Sequence, residues 1–199
     1  LTTQPTFIWT VSGGGTIGAD GLFTAGSSAG GPYTVTASSG TVSGNASVTV
    51  NEVNTAPTIA TPAVAVPDPV TGTTAALSVL GADNGGEANL TYTWAASGPA
   101  AVTFSANGSN AAKNTTATFS MAGTYNLQVT VKDVPGLTAT SAIAVTVNET
   151  LTSILVSPAS SSVNTSATHQ FTATARDQFA TSLTTQPTFI WTVSGGGTI

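Results

Sequence analysis

The chain has 199 residues, with 3 basic and 8 acidic side chains, a formal net charge of −5 and only 6% charged residues. So few cations cannot neutralise a phosphate backbone or an anionic lipid surface, which excludes nucleic acid and anionic membranes as partners. Cysteine is absent, so there are no disulfide staples or thiolate metal sites, as expected for a secreted chain stable through its cores alone.

Ordinary globular domains carry about 25% charged residues; here Thr, Ser, Gly and Ala fill the gap. The positive mean hydropathy argues against disorder, and the abundance of β-branched residues argues for strands. No apolar run reaches the roughly 20 residues needed to span a bilayer.

Leu1–Ile17, LTTQPTFIWTVSGGGTI, recurs without substitution at Leu183–Ile199. The offset of 182 residues is read as the period of a tandem array, with residue 1 an arbitrary cut through one module. Within the repeat, Phe7, Trp9 and Val11 alternate with Ile8, Thr10 and Ser12, the period of a half-buried strand. Gly13–Gly15 interrupt it, Gly18–Gly21 reads as a tight turn, and Leu22–Thr24 as a short strand. Tyr33, Val35 and Ala37 face inward on the next strand, Gly40–Gly44 forms a hairpin loop, and Ala46, Val48 and Val50 face inward on its return.

Asn51–Pro57 is a linker, because the apolar alternation stops across it. Pro57–Val66 is a strand broken by proline and therefore placed at a sheet edge. Inward residues are then expected at Leu77 and Val79, at Leu90, Tyr92 and Trp94, and at Tyr125, Leu127, Val129 and Val131. Gly81–Ala88 is an acidic loop, Val102–Phe104 and Thr115–Phe119 flank a second loop, and Asp133–Gly136 is a turn. Ile143, Val145 and Val147 close the module, and Asn148–Leu151 is a second linker. Ser153–Pro158 and Ala167–Arg176 are further strands, the latter placing Ala167, His169, Phe171 and Ala173 on one face.

Short strands at this spacing, with glycine-rich turns and no helical periodicity, predict an all-β chain of tandem immunoglobulin-like β-sandwiches. Residues 52–149 form one complete module of 98 residues. Residues 1–51 supply the C-terminal strands of another, and 150–199 the N-terminal strands of its next copy; joined across the repeat, the latter module has 84 residues.

The succession ILVSPASSSV, HQFTATARDQF, FIWTVSGGGTI, GLFTAG, GGPYTVTASSG, ASVTV resembles the bacterial immunoglobulin-like group 2 (Big2-like) domain. Residues 52–149, with NTAPTI, LGADNGGEANLTYTW and AGTYNLQVTVKDVPGLTATSAIAVTV, resemble a polycystic-kidney-disease (PKD)-type or cadherin-like sandwich. The hallmark WxFGDG is replaced here, Trp94 being followed by Ala95-Ala96-Ser97-Gly98. Both resemblances imply extracellular, cell-surface modules strung as spacers, and neither implies catalysis.

In a sandwich, the loops holding Asp83, Asn84 and Glu87 and holding Asp133 share an end with the entering linker, which carries Glu52 and Asn54. Carboxylates, amides and carbonyls there suit Ca²⁺, which takes six to eight oxygens. The resemblance implies calcium at this joint, on Asn54, Asp83 and Asp133; as ordinary turn-formers the same residues need no ion. The single histidine, His169, offers no catalytic triad, and its strand parity makes it a half-buried sandwich residue. Inward parity makes Trp9, Trp94 and Trp191 core anchors rather than sugar platforms. Asn45, Asn89, Asn107, Asn114, Asn148 and Asn164 stand in glycosylation sequons, and the Thr and Ser rows allow O-linked glycans.

The expected function is structural, with no enzymatic activity: an extracellular bacterial fibre, stalk or surface filament of end-to-end modules whose partners are neighbouring copies. The expected repeat is roughly 70–90 Å, two sandwich lengths. An adhesin-type binding module and a spacer of a large secreted enzyme are the alternatives.

Overall fold

The computed structural model describes residues 4–199. Two compact units are present, one ending at Asn54 and the other spanning Thr55–Ile199. Among the described residues every regular element is a strand, apart from single 3-10 turns at Glu87–Asn89 and Asn110–Lys113.

The first unit contains β1 (Ile8–Val11), β2 (Gly15–Ile17), β3 (Phe23–Ala25), β4 (Gly30–Ser39) and β5 (Val42–Val50). β4 lies between β1 and β5 in an antiparallel sheet, while β2 and β3 form a separate hairpin. The inward row is only half-buried at Trp9, Val11, Tyr33 and Val35, as a single sheet covered on one side allows. The triple glycine makes room for Tyr33: Gly14 has φ +75°, and a Cβ there would sit 2.3 Å from the Tyr33 ring. The expected Gly40–Gly44 loop is shorter. Ser39 pairs directly with Val42, so the turn is Gly40–Thr41, with Gly40 at φ +59°, and Ser43 and Gly44 already belong to the returning strand.

The second unit holds a complete sandwich. One sheet runs β6 (Thr58–Val66), β7 (Thr74–Ala82), β10 (Asn114–Thr118), β9 (Thr103–Phe104); the other runs β12 (Thr138–Val147), β11 (Gly123–Lys132), β8 (Thr91–Ser97). β6 is at an edge, and its ladder slips around Pro62, between Thr61 and Val64, where proline has no N–H to give. β11 is central, and its alternation is the clearest in the chain. Tyr125, Leu127, Val129 and Val131 are fully buried, while Asn126, Gln128 and Lys132 are exposed. Each such aliphatic side chain contributes about 1.5–3 kcal/mol by burial. Leu77, Val79, Leu90, Tyr92, Trp94, Val145 and Val147 complete the core. Val70 then fastens one sheet to the other, its N–H donating to Thr146 O and its carbonyl accepting from Asn148 N–H, both at 2.8 Å.

Beyond this sandwich, β13 (Ser153–Ser157) pairs with β14 (Thr172–Arg176). Gln178 ties the hairpin to the sandwich: Nε2 donates to Asn148 O at 2.7 Å, Oε1 accepts from Thr150 N–H at 2.9 Å, and the neighbouring Phe179 packs on the core. The expected strand Ala167–Arg176 is thus five residues long, and His169 is exposed rather than half-buried.

The repeated seventeen residues do not adopt one structure. Ile8–Val11 is a strand paired with β4, whereas the identical Ile190–Val193 has no strand partner, and Trp191 is 37% exposed instead of anchoring a core. Identical local sequence therefore does not decide the strand. In the first copy β4 lies alongside and satisfies the N–H and C=O groups of Ile8–Val11; Ile190–Val193 has no such strand beside it.

Candidate functional site: the loop end of the second sandwich

Gly81 near the end of β7 lies against Val131 near the end of β11; a Cβ on it would sit 2.9 Å from Val131 Cγ1. The loops that continue from these strands, carrying Asp83 and Asp133, therefore share one end of the sandwich. The close approach also lets the Tyr92 hydroxyl accept the Gly81 N–H at 3.0 Å.

Asp133 is 3% exposed and holds its own turn: Oδ1 accepts from Gly136 N–H at 2.7 Å and Leu137 N–H at 2.6 Å. Asp83 is half-buried. Its Oδ2 accepts the Gly85 N–H at 2.8 Å, while Oδ1 is buried without a hydrogen-bond partner. A buried carboxylate oxygen left unsatisfied costs about 1–3 kcal/mol or more. Asn84 binds the entering chain, its Oδ1 accepting from Thr55 N–H at 3.3 Å and Thr55 Oγ1 at 3.1 Å. Asn54 closes the first unit and is half-buried. Glu52 is exposed. Among the described residues no group of three His, Cys, Asp or Glu side chains gathers at ion-binding distance.

Glu87 has a separate role. Lys113 Nζ lies 2.9 Å from its Oε2 and 3.1 Å from its Oε1, and Oε1 also accepts from Tyr92 OH at 2.9 Å and Asn110 Nδ2 at 3.1 Å. Asn110 Nδ2 reaches Glu87 O and Leu90 O as well, at 2.8 and 3.0 Å. The hydrogen bond from Lys113, with those from Tyr92 and Asn110, holds the Glu87 carboxyl below the usual range despite its partial desolvation. Burial, chiefly, pushes the Tyr92 hydroxyl above its ordinary value. The network locks the two 3-10 turns together across 26 residues of sequence. With both Glu87 oxygens engaged, the arrangement is a structural clamp.

Sequence reasoning placed Glu87 in the calcium loop and missed Lys113, Asn110 and Asn107. Their contacts span 13 to 26 residues, and no periodicity marks them. Only the sequon at Asn107 drew notice, and there the side-chain Nδ2 already donates to Trp94 O at 3.0 Å, which a glycan on that nitrogen would disrupt.

No curated protein matches the chain. Two solved structures are similar at low identity: a protocadherin gammaB7 EC3-6 cis-dimer (17% identity, TM-score 0.44, covering 88% of this chain and 50% of that one), and the surface layer protein SbsC, domains 1-6 (20% identity, TM-score 0.30, covering 90% and 27%). The chain thus spans half the length of the first and about a quarter of the second. Residues 62–146 match the PKD domain family. With its two facing antiparallel sheets and buried Trp94, this part of the chain is a PKD-type, immunoglobulin-like sandwich.

Proposed function

We propose that the chain is a structural segment of an extracellular array, in which PKD-type sandwiches alternate with Big2-like modules at a period of 182 residues in a bacterial fibre, stalk or surface layer. The observation that carries this reading is the unbroken identity of residues 1–17 and 183–199. The PKD match supports it, since that module separates the two copies. The role is mechanical rather than catalytic. Length comes from tandem sandwiches, stability from cores such as that around β11, and stiffness from clamps such as Glu87–Lys113 and Gln178.

Calcium at the loop end is part of the proposal. Of the two carboxylates there, Asp83 fits a hard cation best, because its buried Oδ1 lacks a protein partner. Asp133 has already given Oδ1 to two backbone N–H groups. Electron microscopy of the material produced by the source cell tests the structural reading: it predicts filaments or a surface lattice, and dispersed single molecules would contradict it.

A further inference from the structure

The outer face of the β6–β7–β10 sheet carries a trough. On the middle strand β7, Ala76 and Ser78 are small. Val66 and Val64 stand opposite them on β6, and Thr116 and Asn114 opposite them on β10. All six face away from the core, because they alternate with the buried Ala65, Leu77, Thr115 and Ala117. The floor is thus two short side chains between two taller rows, which lie about 10 Å apart, or two strand spacings. The cavity between them has a volume of about 320 Å³. None of the six is charged, and Val64 and Val66 are 43% and 65% exposed.

One wall of this trough is a glycosylation sequon, Asn114-Thr115-Thr116. Of the sequon asparagines between β7 and β11, Asn89 and Asn107 have committed the amide nitrogen that a sugar needs. It donates to Gly85 O at 2.7 Å in the first and to Trp94 O at 3.0 Å in the second. Asn114 is exposed, and its amide has no hydrogen-bond partner among the described residues. Resting on the extracellular reading above, we propose that Asn114 carries an N-linked glycan whose first sugars lie in the trough. The donor is a lipid-diphosphate-linked oligosaccharide. Asn114 Nδ2 attacks the anomeric carbon and loses one proton, a C–N bond forms, and the diphosphate leaves with the electrons of the broken C–O bond. A sugar ring is itself two-sided, so its C–H face covers Val64 and Val66 while its hydroxyls stay in water. With only 6% charged residues, the chain has little else to keep an apolar sheet face dispersed. The glycan thereby stops sandwiches from associating side by side through this sheet.

Mass spectrometry of the protein isolated from its source cell tests this. Trypsin cuts after Lys113 and Lys132 and so releases residues 114–132, a peptide with no other sequon. That peptide is expected to be heavier by whole sugar residues, with fragment ions placing them on Asn114, while Asn89 and Asn107 are unmodified. A bare 114–132 peptide would overturn the proposal, and so would sugars found only on its Thr or Ser residues. The seat in the trough is read separately, by hydroxyl-radical labelling of native protein and of Asn114→Gln expressed in the same cell. Label at Val66 should rise in Asn114→Gln, while Val134, 79% exposed in a distant turn, should label equally in both. Equal labelling of Val66 in the two proteins would show that the sugars do not lie on this face. A bare Asn114 in material that still forms filaments or a lattice would strike this proposal alone and leave the structural reading standing.

Discussion

Asn107 takes the place of a neighbouring strand beside Trp94. Its Oδ1 accepts the Trp94 N–H at 2.7 Å and its Nδ2 donates to the Trp94 carbonyl at 3.0 Å. A side-chain amide has the same donor and acceptor as a peptide group, so it satisfies backbone positions of β8 on the side away from β11. Replacing Asn107 by Ala should cost about 2 kcal/mol, since both Trp94 backbone groups lose their partner. Urea unfolding would register the loss as a lower midpoint with an unchanged slope.

Trp94 itself is 3% exposed, stacks on Phe104 at 6.3 Å, and donates its indole N–H to Ala112 O at 2.8 Å. Trp94→Ala should therefore be among the most damaging single changes in this sandwich, at about 3–5 kcal/mol. Trp94→Phe should cost less, because most of the volume remains and only the bond to Ala112 is lost. Thermal unfolding of the two variants gives the order.

Stability should fall at both ends of the pH range. The Glu87 carboxyl is held below its reference value of 4.5, first by the Lys113 hydrogen bond. Its contribution is therefore present above that value and lost as pH falls through the depressed one. Tyr92 and Tyr125 are raised above 10.0 by burial. Their contribution is complete below pH 10 and lost as pH rises through the raised values, because the unfolded chain ionises first. Glu87→Gln should flatten the acid limb and Tyr92→Phe the alkaline limb of a urea-midpoint profile.

Calcium should raise the melting temperature. Extracellular calcium modules bind in roughly the 10⁻⁴–10⁻³ M range, and ten times the dissociation constant adds about 1.4 kcal/mol. For a sandwich of this size that is about 6 °C. Asp83→Asn should abolish the response to calcium and leave the chelator-treated protein unchanged or slightly more stable, since the buried, unsatisfied Oδ1 no longer belongs to a charged group. A wild-type melting temperature indifferent to chelator would remove calcium from the account.

How much of this was legible in the sequence depends on the range of the interactions. Strand parity at Leu90, Tyr92, Trp94 and along Tyr125–Val131 was readable because alternation is local and one face is fully buried. The edge position of β6 followed from Pro62. The polar clamps were hidden, since Glu87 meets Lys113 and Trp94 meets Asn107 only after the two sheets have packed. His169 and Trp191 show the limit from the other side. Their alternation resembles that of Trp9, but a strand needs hydrogen-bonding neighbours, and periodicity alone does not say whether those are present. The 40–44 loop was overestimated for a related reason: Ser43 and Gly44 have no apolar side chain to announce a strand that β4 imposes on them.

The central claim is that residues 183–199 are the start of another copy of the first unit. Hydrogen exchange on the chain extended at its C terminus by residues 18–51 tests it most directly. In the unextended chain at low concentration, the amides of Ile190–Val193 should exchange far faster than those of Ile8–Val11. In the extended chain the two sets should be protected to the same degree, and Trp191 should become as shielded as Trp9. Residues 190–193 that stay unprotected after the extension would contradict the account.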